Sequence, residues 1–192
     1  MQFYPFSAML ARMKYISRWG LMRSSRTESL CEHTADTALL AHTLALISVS
    51  IYGTQVRCET VCVAALYHDA SEILTGDMPT PIKYDNPAIR SAYQDVEAVA
   101  ERKLLQMLPP ELQGVYEPIL TEADPEIRQV VKAADKLSAY IKCVEELKAG
   151  NNEFREAAAQ TRKVLESYGL PEVAYFLETF MDSFSLTLDE LK

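Results

Sequence analysis

The segment His68-Asp69-Ala70-Ser71-Glu72, at the end of the apolar run Val61 to Tyr67, holds the residue types that metal-assisted hydrolysis needs. Adjacent His and Asp side chains leave a helix about 100° apart, so near a helix end one hard divalent cation can take an imidazole nitrogen and a carboxylate oxygen together. Glu72 follows Asp69 by three residues and His68 by four. On a helix that spacing puts its carboxylate on their face, within reach of a water held beside them. An isolated His-Asp pair is weak evidence, because a solvated helix end yields the same dipeptide. The supply of further ligands therefore decides its meaning. The chain has three histidines, His33, His42 and His68. His33 stands near the start of a long apolar stretch, where a side chain can project from the end of a bundle. His42 falls on the opposite face among Leu39, Leu40, Leu44 and Leu46, and reads as a core or surface histidine. Asp135 interrupts the apolar run Val130 to Ile141. A carboxylate there is costly to bury unless a cation meets it, and two kinds are available: a metal, or Lys132 and Lys136 on a solvated stripe.

These side chains need helices to hold them. Apolar positions recur at helical spacing along nearly the whole chain and strand-like alternation is almost absent. The expected helices cover 7–16, 29–52, 59–70, 87–107, 110–120, 125–149, 152–168 and 171–184. Gly53, Pro109-Pro110, Gly150-Asn151 and Gly169 fall where helices should stop, and Asp124-Pro125 pairs a capping carboxylate with a proline suited to a first turn. The fold class is all-α, a single-domain helical bundle over 1–192. Two stretches, 17–27 and 74–86, resist the helical pattern and flank the candidate ligands, so they are expected to wall the pocket.

A chain of 192 residues has length for a substantial core. Its net charge of −8, with no block of Lys and Arg, opposes duplex nucleic acid as a partner. An anionic substrate would need a metal and local cations, for which Arg18, Arg23 and Arg26 are candidates. Cys31, Cys58, Cys62 and Cys143 form no C-x-x-C pair, which suits a reduced, cytoplasmic protein. Residues 1–15 lack the pattern of a secretory signal. The longest apolar run, 38–52, is too short and too polar to span a membrane and reads as a buried helix.

His33, His68-Asp69 and Asp135 follow, in order and type, the H…HD…D pattern of the HD-domain phosphohydrolases. The chain resembles, more closely, the bacterial HD-domain 5′-deoxynucleotidases. The resemblance is carried by Arg18-Trp19, by Arg26-Thr27-Glu28 leading to Glu32-His33, and by Tyr67 to Glu72 continuing through Leu74-Thr75-Gly76-Asp77 to Pro79-Thr80-Pro81. Ala134-Asp135 and Ala149-Gly150-Asn151-Asn152-Glu153-Phe154 complete it. It implies an HD-type bundle and a phosphoric monoester hydrolase that acts on 2′-deoxynucleoside 5′-monophosphates, with a homodimer as its assembly.

In that reading His33, His68, Asp69 and Asp135 hold one divalent ion. Two imidazoles and two carboxylates leave one or two positions open on an octahedral ion, which suits cobalt, manganese, nickel, iron or magnesium better than a structural zinc. Dinuclear relatives use additional histidines that this chain lacks, so one ion is expected. Such an ion supplies an activated water and neutralises charge on the phosphoryl oxygens. Glu72 orients or deprotonates the water, Asp77 bonds the sugar or assists the leaving oxygen, Arg18 pairs with phosphate, and Trp19 presses its ring on the sugar. Two rivals remain: an HD hydrolase for a nucleoside triphosphate or an alarmone, and a non-catalytic helical binding protein.

Overall fold

The computed structural model describes residues 2–83 and 86–192, without the side chains of Thr80 and Pro81. Its helices are α1 (Phe6–Leu10), α2 (Leu30–Tyr52), α3 (Cys58–Tyr67), α4 (Glu72–Thr75), α5 (Thr80–Lys83), α6 (Pro87–Gln106), α7 (Pro110–Leu120), α8 (Pro125–Lys148), α9 (Arg155–Ser167) and α10 (Pro171–Thr179). No strand occurs among the described residues; the sole β-like feature there is an isolated bridge between Ser17 and Ser29.

Sequence-local chemistry sets the ends of the two long helices that matter most. Ser29 opens α2 with a capping box: its hydroxyl accepts the Glu32 amide at 3.2 Å, and the Glu32 carboxylate accepts the Ser29 amide at 2.8 Å. Gly53 closes α2 at φ 71°, in the left-handed region that a side chain disfavours. Asp124 caps α8 through the Glu126 amide, with Pro125 in the first turn.

α2 is the central helix, packed by α3, α8 and α10. Ala41, Leu44 and Ala45 of α2 meet Val61 and Ala65 of α3 and Ala133, Ala134 and Leu137 of α8. The small alanines suit close helix packing, and the start of α2, the end of α3 and the middle of α8 meet where His33, His68 and Asp135 converge. At 23 residues, α2 is longer than the run 38–52 and is apolar and long enough to cross a bilayer by composition alone. A helix apolar on nearly every face, surrounded by three others, is also what a bundle core requires.

Four expected helices end differently; one, 171–184, divides into α10 and a 3₁₀ turn at Met181–Ser185. α3 stops at Tyr67, and the chain turns through i→i+3 bonds, Ala70 N to Tyr67 O and Glu72 N to Asp69 O at 3.0 Å each, before α4 begins. His68 and Asp69 thus sit just past a helix terminus rather than within a helix reaching residue 70. The tight turn eclipses residues three apart, so Asp69 and Glu72 still share a side. Residues 152–154 form a separate 3₁₀ turn before α9, and 7–16 divides into α1 and a 3₁₀ turn at Ala11–Tyr15. Of the stretch 74–86, expected as a loop, residues 74–75 end α4, residues 80–83 are helical and 84–85 lie outside the described residues.

Candidate metal centre

His33, in the first turn of α2, is fully buried. Its Nδ1 lies 3.2 Å from Ser138 Oγ and 3.6 Å from Glu28 Oε1. Its Nε2 lies 3.3 Å from Asp135 Oδ1 and 3.5 Å from Asp69 Oδ2. A carboxylate behind one ring nitrogen is what fixes a ligating imidazole, leaving the other nitrogen to face the metal.

His68 gives the sharper constraint. Its Nδ1 is 2.7 Å from the Ala65 carbonyl oxygen, which can only accept, so that nitrogen carries the proton. In the neutral ring Nε2 is then an acceptor. It is buried, has no hydrogen-bond partner, and sits 3.0 Å from Asp69 Oδ2, another acceptor. Two acceptors facing each other at that distance need a cation between them, either a proton on Nε2 or a metal ion. One ligand atom each from His33, His68 and Asp135 lies within 4.8 Å of the others, and Asp69 borders both rings. The donor set fits a divalent ion. Asp135 also uses its second oxygen to accept from Lys136 Nζ at 3.2 Å, so both cations weighed for it on the sequence have a place.

Electrostatics agree with the geometry. Burial opposes charge on His33, but Asp135, Asp69 and Glu28 outweigh it and push the imidazole up to about 10. Without a metal the carboxylates hold a proton where a dication fits, so metal binding must displace it. Burial raises Asp69 and Asp135, yet His68 and His33 for the former, and Lys136 and His33 for the latter, hold both well below the usual carboxylate range. Glu72 goes the other way. Burial, then the charges of Asp69 and Asp77, push it up to about 9. Its Oε2 is buried without a partner, and its Oε1 is 3.9 Å from Lys83 Nζ.

Arg18 reaches this centre, with a terminal nitrogen 3.4 Å from Asp69 Oδ2 and Nε 3.9 Å from Glu28 Oε1. Trp19, at φ 59°, donates its indole N–H to Glu28 Oε2 at 2.7 Å and packs on Phe154 with ring centroids 5.3 Å apart. Asp77 is near enough to Arg18 and Glu72 to raise both. A cavity of about 350 Å³ opens beside His68, Asp69 and Asp135, with Lys83, Tyr93 and Lys132 among its walls. His42, half-buried on α2, is not among the converging ligand atoms.

Glu28 and Ser138 are the residues that sequence reasoning passed over. Glu28 serves Trp19, Arg18 and His33 at once, and its position in Arg26-Thr27-Glu28 was the available signal. Ser138 lies one turn beyond Asp135, where a buried imidazole needs its second partner.

Residues 5–184 match the family profile described as 5′-deoxynucleotidase YfbR-like. The chain is 49% identical over 193 residues to a 5′-deoxynucleotidase of Vibrio cholerae, with all of both chains covered. It is 50% identical over 188 residues to one from Photobacterium profundum, covering 97% of each. Among solved structures, an HD-domain phosphohydrolase from Listeria innocua shares the fold at TM-score 0.81 and 23% identity, covering 93% of this chain and 87% of that one. The cyanophage S-2L HD phosphohydrolase DatZ, solved with dA and one catalytic Zn²⁺, shares it at TM-score 0.62 and 23% identity over 92% of this chain and 96% of that one. With nearly its full length matched, the chain belongs to the YfbR-like 5′-deoxynucleotidase family, whose all-α HD-domain fold it shares.

Proposed function

We propose that the chain hydrolyses 2′-deoxynucleoside 5′-monophosphates to deoxynucleoside and phosphate, using one divalent cation held by His33, His68, Asp69 and Asp135. The observation that carries this reading is the buried, unpartnered Nε2 of His68 facing Asp69. The cation would lower the pKa of a bound water and neutralise charge on the phosphoryl oxygens. Cobalt and manganese suit the donor set, and zinc joins them because DatZ holds one catalytic Zn²⁺.

The protein's own groups divide the remaining work. Arg18, now turned to Asp69, carries two parallel donors that match two phosphate oxygens. Glu72, buried and unpartnered at one oxygen, takes a proton from the attacking water. Raised to about 9, the carboxyl keeps its own proton at neutral pH; a cation offsetting the charges of Asp69 and Asp77 would lower it until it is ionised and able to accept one. Asp77 bonds the sugar or the departing 5′ oxygen. Trp19 packs against the deoxyribose where a 2′-hydroxyl would go unpaired.

We further take 1–192 as one domain acting as a homodimer in the cytoplasm, without duplex nucleic acid or membrane as partner. Unpaired Cys58 and Cys143 in the interior suit a reducing compartment, and exposed Leu39, Leu46, Val63 and Leu66 on α2 and α3 supply apolar surface for a second copy. The net charge of −8 disfavours nucleic acid. A phosphate-release panel tests the catalytic reading: deoxy- and ribonucleoside monophosphates and deoxynucleoside triphosphates, each with cobalt, manganese, zinc or magnesium. Release confined to monophosphates with a deoxy preference is expected. Faster release from triphosphates, or none from any substrate, would overturn it.

A further inference from the structure

α8 carries a second inward-facing carboxylate. Glu146 follows Asp135 by eleven residues, which on a helix is about three turns and roughly 20° from the same face. It is 1% exposed. Its Oε2 accepts from the Ser25 amide and from Asn151 Nδ2, at 2.8 Å each; its Oε1 accepts from the Arg26 amide at 3.4 Å and from Lys142 Nζ. Lys142 donates in addition to the Arg26 carbonyl at 2.7 Å, and Asn151 to the Arg23 carbonyl at 2.7 Å. The Glu153 carboxylate takes the Arg23 amide at 2.9 Å.

Five backbone groups of residues 23–26 are therefore met by side chains of α8 and the turn after it. At its other end the same segment is closed by the pairing of Arg18 N with Glu28 O at 2.9 Å and of Leu30 N with Ile16 O at 2.8 Å. Between the two anchorages stands Trp19, its ring on Phe154 of that same turn. The segment has no helix of its own, so its shape is imposed from outside. The face of α8 that offers Asp135 to the metal and Ser138 to His33 also offers Lys142 and Glu146 to this segment.

We propose that Glu146, with Lys142 and Asn151, forms a clamp of positioning residues that registers Arg18 and Trp19 against the metal centre without touching substrate. The proposal rests on the reading of Arg18 and Trp19 as phosphate and sugar contacts. Its sequence trace is Glu146 followed by Gly150-Asn151-Asn152-Glu153-Phe154, a run that supplies no catalytic group.

Glu146→Gln keeps the shape and offers an amide nitrogen where a carboxylate oxygen met a donor. The expected result is metal affinity within about twofold of wild type, and KM for a deoxynucleoside monophosphate raised about tenfold or more with a narrower deoxy-to-ribo ratio. Trypsin supplies a readout free of activity, because Arg23 and Arg26 have exposed side chains inside the clamped segment. Cleavage after these residues should accelerate about tenfold or more at temperatures where the protein stays folded. Should Glu146→Gln not fold, Asn151→Ala removes one bond to Glu146, one to the Arg23 carbonyl and the cap on the Glu153 amide while sparing the Lys142 pair, and predicts the same pattern at smaller size. A lower melting temperature with unchanged KM, sugar ratio and trypsin rate would overturn the clamp and leave Glu146 as an ordinary buried contact. If the trypsin rate rises while Arg18→Ala and Trp19→Ala leave KM and the sugar ratio unchanged, the clamp stands as a fact of structure, and the reading of the active site is what fails.

Discussion

Asp135 and Glu146 sit on one face of one helix and meet opposite surroundings. Glu146 has each oxygen answered by two protein donors. Asp135 turns one oxygen to Lys136 and the other to His33, in a neighbourhood crowded with groups that lack partners. Of the buried side-chain atoms without a hydrogen bond among the described residues, three are Arg18 Nε, His68 Nε2 and Glu72 Oε2. Polar groups in an interior are normally satisfied, so one helix face carries a carboxylate fully met by protein donors and, three turns away, one whose neighbours keep unused bonding capacity. Both are carboxylates and Asp135 is the more exposed of the two, so the telling difference is the bonding capacity left over around it.

The strongest way to break this contrast is to remove the carboxylate at each end. Asp135→Ala should weaken metal binding by about 100-fold or more, whereas His42→Ala should leave it within about twofold of wild type. Isothermal titration with cobalt or zinc decides it, and equal affinity in Asp135→Ala and wild type would end the four-ligand shell. Glu146→Gln, read in the same titration, should resemble His42→Ala.

Glu72 sharpens the comparison from the side of catalysis. Its Oε2 is buried without a partner, and in the proposed mechanism it stands outside the metal shell, so Glu72→Ala should retain the metal and lose about 10²-fold in turnover. Full activity at full metal occupancy would remove it from the mechanism. A loss of metal in parallel would make it a ligand instead.

Legibility in the sequence followed the same divide. The convergence of His33, His68 and Asp135 could be read because His, Asp and their spacing carry chemistry that few other roles demand, and the long helices because apolar periodicity and the Ser29, Gly53 and Asp124 signals agree. The break after Tyr67 could not be read, since Ala70-Ser71 has no Gly or Pro to end a helix and the turn is imposed by packing. Nor could the work of Glu28 and Glu146. A carboxylate that accepts from a distant segment leaves no local pattern: the Glu146 partners at Ser25 and Arg26 are 121 and 120 residues away.

Trp19 probes the boundary between the two regions, because its ring rests on the clamp side while its N–H reaches Glu28 behind His33. Trp19→Ala should narrow the deoxy-to-ribo ratio in kcat/KM by about fivefold or more, the cost of one unmade hydrogen bond at the 2′ position. Arg18→Ala should slow both sugars equally, since phosphate is common to them. Trp19→Phe keeps an apolar ring but frees Glu28, so it should preserve most of the ratio while loosening the metal. A ratio untouched in Trp19→Ala would leave the indole as an anchor for its loop alone.

The smallest effect separates the clamp from the metal shell by pH. Burial works against the ionised Glu146, but donors on Lys142, Asn151 and Ser25 outweigh it and hold the carboxyl well below the usual range in the folded chain. In the unfolded chain it titrates near ~4.3, as a free glutamate does. A depressed folded pKa means that ionised Glu146 stabilises the fold fully above the unfolded value, and that this stabilisation drains away as pH falls through the interval toward the folded one. Glu146→Gln has no proton to exchange there. In the presence of chelator, which keeps metal loss from contributing, the unfolding free energies of wild type and variant should differ by a constant amount of about 1–3 kcal/mol between pH 7 and roughly pH 5.5. Below about pH 4.5 the gap should close. Urea titrations across that range measure it directly, and a gap that stayed constant to pH 3 would mean that Glu146 is not held ionised by its donors, which would dissolve its contrast with Asp135.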